Sequence, residues 1–262
     1  MSYEAFDFKV EDGLAHLTLN QPERGNPFDG SFCADFCAIA NSLAGRDDVR
    51  AMLLRANGPY FSVGGDIQQF ARDLDVLPNK IRQWTATLHM GLARMAQLDA
   101  PLVACVEGTA MGGAVAMIAA CDLVFSSNRV KFGAAYSHIG YSCDAGASFS
   151  LASRMGLARA RRFLLLGEVV DATEAERIGL VDFVHEPEAV HDAALNQART
   201  LANGPTRAYG EIRRIVARSL AQPLETQLED EARGLARVAA TADAREGVTA
   251  FTEKRKPRFV GR

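Results

Sequence analysis

No apolar stretch of this 262-residue chain is long enough to span a bilayer; the longest candidate, 110–121, contains glycines and is rich in alanine. The N-terminal run "MSYEAFDFKVEDG" has no apolar segment of the kind a secretion signal needs. Neither sign of charge dominates: 29 Lys and Arg against 32 Asp and Glu leave a formal charge of −3, which gives nucleic acid or an anionic membrane no footing as the main partner. The basic tail "EKRKPR" (253–258) is a short local exception. The five cysteines are odd in number and scattered, which suits free thiols in a reducing compartment. Cys33 and Cys37 are one helical turn apart, but no second Cys or His pair follows at zinc spacing, so no metal is expected. A cytoplasmic protein is the expectation.

Two nucleotide signatures are also missing. No G-x-G-x-x-G follows the first strand, and there is no GK[ST] phosphate loop. Low-complexity linkers and internal repeats are absent as well.

What is present alternates. "FDFKV-EDG-LAHLTLN" predicts two strands around an Asp-Gly turn. Phe32, Phe36, Ile39 and Leu43 recur at helical spacing, with Asp29 or Ser31 as cap and Gly45 as stop. "VRAMLLRA" (49–56) reads as a buried strand, "LPNKIRQWTATLHMGLARMAQ" as a long helix and "APLVACVEG" as a strand. A short helix follows from about Gly112, then the strand "DLVFSS" (122–127). Two helical patterns flank Gly156, "GLVDFVHE" is another strand, and the chain is almost wholly helical from Glu188. The class is therefore α/β with a helical C-terminal layer. The best break is "NGPTRAYG" (203–210), dividing a core at 1–203 from a helical region at 204–262.

Two glycine turns carry chemical interest. Gly64-Gly65 enters a helix at Asp66, and Gly112-Gly113 opens the helix after "VEGTAM". Helix starts leave backbone N–H groups unpaired at the positive end of the peptide dipole, and glycine lets a ligand approach them. Two such turns facing each other offer two donors to one oxygen; either alone is an ordinary tight turn. "SHIGYSCDAGAS" (137–148) raises a second question, because one carboxylate, Asp144, sits among small, weakly polar side chains. Such surroundings suit a carboxylate to proton transfer near neutral pH. The competing reading is an N-cap for "AGASFSLASRM", and the two roles need the same oxygens.

The chain resembles the crotonase (enoyl-CoA hydratase/isomerase) superfamily along nearly its whole length. "LTLNQPERGNPFD", "YFSVGGDI", "APLVACVEGTAMGGAVAMIAACD", "KFGAAYSHIG", "ATEAERIGLVDFV" and "REGVTAFTEKRKPRF" match six of its blocks in order. The resemblance implies a spiral of ββα units with a C-terminal α-helical trimerisation region, assembled as a homotrimer or as a hexamer of two trimers. It also implies an acyl-CoA substrate, with coenzyme A as part of that substrate and no separate cofactor. The oxyanion donors fall on the N–H groups of Gly65 and Gly113. The coenzyme A contacts fall on Arg24, Asn26, Pro27 and Phe28, on Val63, Asp66 and Ile67, and on Phe251 and Lys254, the last two often across a subunit boundary. The acyl pocket falls on Trp84, Met111, Tyr136, Ile139 and Tyr141; Trp84 and Tyr141 also read as plain core.

Departures from the family pattern bear on the reaction. The two glutamates of its hydratases are replaced by Ala116 and Tyr136, neither of which can activate water as a carboxylate does. Asp144 stands where several members carry a working aspartate, and the loop resembles that of phenylacetate-pathway isomerases, with Cys143 in place of their proline. His89, twelve residues before Pro101, stands where the chlorobenzoyl-CoA dehalogenases have a histidine, and Tyr136 replaces the tryptophan that orients their aspartate. The leading expectation is an enoyl-CoA isomerase with Asp144 as sole acid/base. The alternatives are a dehalogenase-like hydrolase using Asp144 with His89, a hydratase, and a non-catalytic acyl-CoA-binding trimer. Asp66 and Asp122 read as caps or turn residues, Cys143 as packing, and Glu107 has no assigned role.

Overall fold

A computed structural model describes residues 2–219 and 221–262. The strands are β1 (Phe6–Glu11), β2 (Leu14–Leu19), β3 (Ala51–Ala56), β4 (Tyr60–Ser62), β5 (Leu102–Val106), β6 (Thr109–Met111), β7 (Leu123–Ser127), β8 (Lys131–Gly133), β9 (Val169–Asp171) and β10 (Phe183–His185). The helices are α1 (Gly30–Leu43), α2 (Ile67–Arg72), α3 (Leu77–Gln97), α4 (Gly113–Ala119), α5 (Ala147–Met155), α6 (Leu157–Leu166), α7 (Ala172–Arg177), α8 (Pro187–Ala202), α9 (Thr206–Arg218), α10 (Leu224–Ala239) and α11 (Ala242–Thr252).

Two sheets form. The larger runs β1-β2-β3-β5-β7-β10 and the smaller β4-β6-β8-β9. The hairpin is antiparallel from Phe6↔Leu19 to Glu11↔Leu14, and its turn places Asp12 and Gly13 at φ of 50° and 77°, as a two-residue hairpin turn requires. From β2 to β10 every pairing of the large sheet is parallel. After each of β3, β5 and β7 the chain crosses directly into β4, β6 and β8 of the small sheet before entering helix. That is the repeating ββα unit of the crotonase spiral.

Hydrophobic alternation shows why the central strands are buried on both faces. In β3, Met52 and Leu54 face the main core with Phe32 and Phe36, while Ala51 and Leu53 face α8. Helix α8 supplies Val190, Ala194, Ala198 and Ala202, each four residues on, so one stripe covers that face. Burying a side chain such as Leu53 contributes roughly 1.5–3 kcal/mol. In α1 the expected apolar residues are all buried, and the Asp29 carboxylate accepts from the Phe32 N–H at 3.0 Å.

Local periodicity does not reveal the small sheet. Its strands are three residues each, too short for an alternation to register. The strand expected over "GLVDFVHE" shortens to β10, because Leu180 and Val181 close a turn on the Ala175 carbonyl and Asp182 bonds the Val124 N–H. Among the described residues no helix is long and apolar enough to cross a membrane.

Arg154 ties several of these elements together. From α5 its guanidinium donates to the carbonyls of Ala119 and Cys121 at 3.0 and 2.7 Å and to Asp182 at 3.1 Å. Arg154→Met strands those acceptors, and we expect a loss of about 3 kcal/mol in chemical denaturation; an unchanged midpoint would show that the network is dispensable.

Candidate active site

Pairing of β4 with β6 sets the two glycine turns side by side. Gly64 (φ 81°) lies so close to the second turn that a Cβ there would stand 2.7 Å from the Met111 carbonyl oxygen and 3.5 Å from Gly112 Cα. Gly112 (φ 54°) precedes the first residue of α4, Gly113. No other residue type takes both conformations in so little space. Among the described residues, the N–H groups of Gly65 and Gly113 donate to no protein acceptor, whereas Gly64 is bonded to Ser62 Oγ and Gly112 to the Gly133 carbonyl. Gly65 and Gly113 both open into one cavity of about 550 Å³.

The cavity wall is apolar and aromatic. Phe28 stacks on Phe32 at one end, and Phe70 lies between Trp84 and Tyr141 with ring centroids 6.3 and 6.0 Å away. Asp144 is the one carboxylate among the described lining residues, which include no histidine or lysine. A Cβ on Gly113 would come within 3.6 Å of Asp144 Oδ1, so the carboxylate faces the second donor turn.

Two hydrogen bonds set the carboxylate loop. Tyr136 Oη donates to Asp144 Oδ1 at 2.9 Å. Burial first, then the Asp144 charge, push the Tyr136 phenol up, so it stays a donor. His89 Nε2 accepts from the Ala145 N–H at 3.2 Å. Ala145 is buried with φ of 50°, and Ala135, just before Tyr136, has φ of 52°. Left-handed alanines each cost about 1–3 kcal/mol and persist only where the surroundings hold them. The N-cap reading of Asp144 is corrected here: Gly146 occupies that position and no side chain caps α5.

Other expected site residues are placed as follows. Val63, Ile67, Phe28, Trp84, Tyr136, Ile139 and Tyr141 line the cavity. Met111 does not: its sulfur packs over Gly133, beneath the second turn. Asn26 is buried and spends its amide inside the protein, donating to the Asn57 and Tyr60 carbonyls and accepting from the Gln21 N–H, so it shapes the loop and its side chain is not free for coenzyme A. Pro27 beside it is buried. Arg24 bridges Asp29 and Asp66 at 2.8 and 2.7 Å. Burial would raise the Asp66 carboxyl, but the Gln69 N–H and Arg24 outweigh it and hold it below the usual range. Asp66 is thus a cap for α2 as well as a lip residue, and Asp122 bonds the Leu102 N–H and Arg213. His89 is exposed and lies behind the loop rather than in the cavity wall. Phe251 and Lys254 are exposed and stand apart from their own chain's cavity.

Sequence reasoning missed Phe70, Leu77, Ile81, Leu88 and Cys33 as lining residues. The Cys33 thiol is pushed up to about 12 by burial and by the charges of Asp29 and Asp144, so it is inert apolar wall. Helical spacing in α3 (77, 81, 84, 88) was a usable signal for most of the others.

Comparison with known proteins agrees with this geometry. The family model described as enoyl-CoA hydratase/isomerase matches residues 9–262. The chain is 31% identical to the trans-2-decenoyl-[acyl-carrier-protein] isomerase of Streptococcus mutans over the whole of both chains. It is 33% identical to the 1,2-epoxyphenylacetyl-CoA isomerase of Escherichia coli over 97% of each. A crystal structure of an enoyl-CoA hydratase/isomerase from Cupriavidus metallidurans superposes with a TM-score of 0.90 at 28% identity, covering 98% of this chain and 96% of that one. Hydratase names occur among the relatives beside isomerase names. With two unpaired glycine N–H groups over an apolar cavity, and a family match across nearly its full length, this chain belongs to the enoyl-CoA hydratase/isomerase (crotonase) family.

Proposed function

We propose that the protein is an acyl-CoA isomerase that moves a carbon–carbon double bond with Asp144 as its only acid/base. The observation that carries this is the lone carboxylate: among the described residues Asp144 is the one acidic side chain in the cavity wall, and Ala116, at a hydratase glutamate position, is fully buried in α4. The Gly65 and Gly113 N–H groups hold the thioester oxygen, Asp144 takes a proton from the α-carbon, and the electron pair delocalises onto that oxygen as a dienolate. Asp144 then returns the proton at the γ-carbon, so the double bond shifts and nothing is added. Each N–H donor of this kind is worth about 3–4 kcal/mol in the transition state. Tyr136 holds the carboxylate in place and stays protonated throughout.

The hydrolytic alternative is less well supported. Its histidine would have to activate water in the cavity, and His89 Nε2 instead accepts from Ala145 N–H behind the loop. In this reading His89 is a positioning residue.

The C-terminal helices support a homotrimer or hexamer. Ile212 and Val216 on α9, Leu224, Leu228 and Leu235 on α10, and Val248 and Phe251 on α11 are all exposed, and so many apolar side chains are rarely left to water.

A panel of β,γ-enoyl, α,β-enoyl, arylacetyl and halobenzoyl thioesters incubated in deuterated water and read by mass spectrometry should show deuterium uptake with double-bond migration and no net water added. Halide loss with gain of hydroxyl would replace this reading by the hydrolytic one. Asp144→Asn should cut that turnover by about 10²–10⁴-fold with acyl-CoA binding kept within a fewfold; full turnover in that variant would sink the mechanism. His89→Ala should lower kcat about tenfold with KM little changed, the loss of one backbone hydrogen bond, and His89→Gln should restore much of it. Equal defects in both variants would assign the imidazole a proton-transfer role. Light scattering should give the mass of three or six 28.3 kDa chains, and a monomer would remove the assembly reading.

A further inference from the structure

On the large-sheet face covered by α8, away from the cavity, β5 carries Cys105 at full burial, and the chain continues to Glu107. The two are two residues apart, hence on one side of an extended chain. Helix α8 crosses that face and brings His191 to the same place, next to the buried Val190. The Cys105 sulfur, a Glu107 carboxylate oxygen and a ring nitrogen of His191 lie within 4.8 Å of one another. We infer that these three side chains bind a divalent transition-metal ion, zinc being the best match, which pins the end of β5 to α8.

Several observations bear on this. His191 Nδ1 is buried without a hydrogen-bond partner among the described residues, and a nitrogen left so is destabilising. The Cys105 thiol contacts the Val190 carbonyl at 3.9 Å and interacts with the Glu107 carboxylate, so sulfur and carboxylate already face each other. Sulfur, imidazole and carboxylate form the donor set zinc accepts, with the fourth position left to water. Zinc bonds of about 2.0–2.3 Å put tetrahedral ligands roughly 3.5 Å apart, so binding needs no pair of these atoms to close by more than about 1.3 Å. Arg55 Nη2 lies 3.7 Å from Glu107 Oε2, which lets one carboxylate oxygen face the ion while the other keeps its cation. Glu107 reaches solvent and provides a way in.

Binding must remove a proton. Burial, then the Glu107 charge, push the Cys105 thiol up to about 12 in the metal-free protein. A dication reverses this preference. The S–H bond breaks, a metal–sulfur bond forms, the proton passes to solvent, and no electron is transferred.

The test uses full-length protein stripped with chelator and titrated with Zn²⁺ or Co²⁺. We expect one ion per chain, about one proton released per ion in weak buffer, and a near-ultraviolet thiolate-to-cobalt charge-transfer band. Cys105→Ser should abolish the band. It and His191→Ala should each weaken binding by more than the roughly 10–100-fold that loss of an outer partner costs, and Arg55→Gln should fall inside that range. Saturating zinc should raise the Tm of the native protein. The inference is overturned if the native protein takes up no stoichiometric ion, if its cobalt form lacks the charge-transfer band, or if Cys105→Ser and His191→Ala bind as the native protein does. A variant that fails to fold leaves the native spectrum and proton count to decide. Neither readout depends on the isomerase mechanism.

Discussion

The Gly64–Gly65 and Gly112–Gly113 turns touch. Their backbones approach so closely that a single added Cβ at Gly64 would meet the Met111 carbonyl oxygen at 2.7 Å, and this contact is what the site is built around. It exists because β4 and β6 pair in parallel, each leaving its long strand after a turn of a few residues and each running on toward helix. Gly113 starts α4 and so has no partner within that helix, and Gly65, just before the Asp66 cap of α2, is likewise unbonded among the described residues, so two donors open into one cavity. The large sheet, its hairpin and its covering helices keep that approach rigid. The cavity, the placement of Phe28 against Gly113 and the position of Asp144 follow from it.

Against this fixed pair of donors, the variable part is the loop over 135–146. It carries the carboxylate, and two left-handed alanines bracket its working segment. Strain of that kind survives only where neighbours hold it, and here Tyr136 holds the side chain while His89 holds the backbone. In this chain their hydrogen bonds point to support of a single carboxylate.

The two faces of the large sheet carry different chemistry. Toward α1 and α3 the core is hydrophobic and ends in the cavity. Toward α8 a smaller apolar cluster gives way, at the end of β5, to Cys105, Glu107, His191 and Arg55. Polar groups at that depth need partners, and among the described residues His191 Nδ1 and Arg55 Nε have no hydrogen-bond partner. An ion bound there would join the strand that leads into the second donor turn to the helix that covers the sheet.

The sequence by itself determined the long strands and most of the longer helices, because apolar spacing acts within one turn or one strand. The Asp12-Gly13 turn and the apolar spacing of α1 needed nothing from elsewhere in the chain, though only the structure chose Asp29 over Ser31 as the cap. The glycine pairs and the lone Asp144 were equally legible, since residue type alone marks an open helix start and a carboxylate without nearby cations. The small sheet was not, for three-residue strands have no periodicity and exist only through pairing with distant neighbours. Nor could spacing show that Asn26 is spent inside its loop, that Met111 packs under the turn, or that His89 stands behind Asp144. Cys105 on β5 and His191 on α8 are far apart along the chain, and no spacing rule links them. Which groups touch across such distances is decided by the stacking of one ββα unit on the next, and that stacking is a property of the tertiary structure alone.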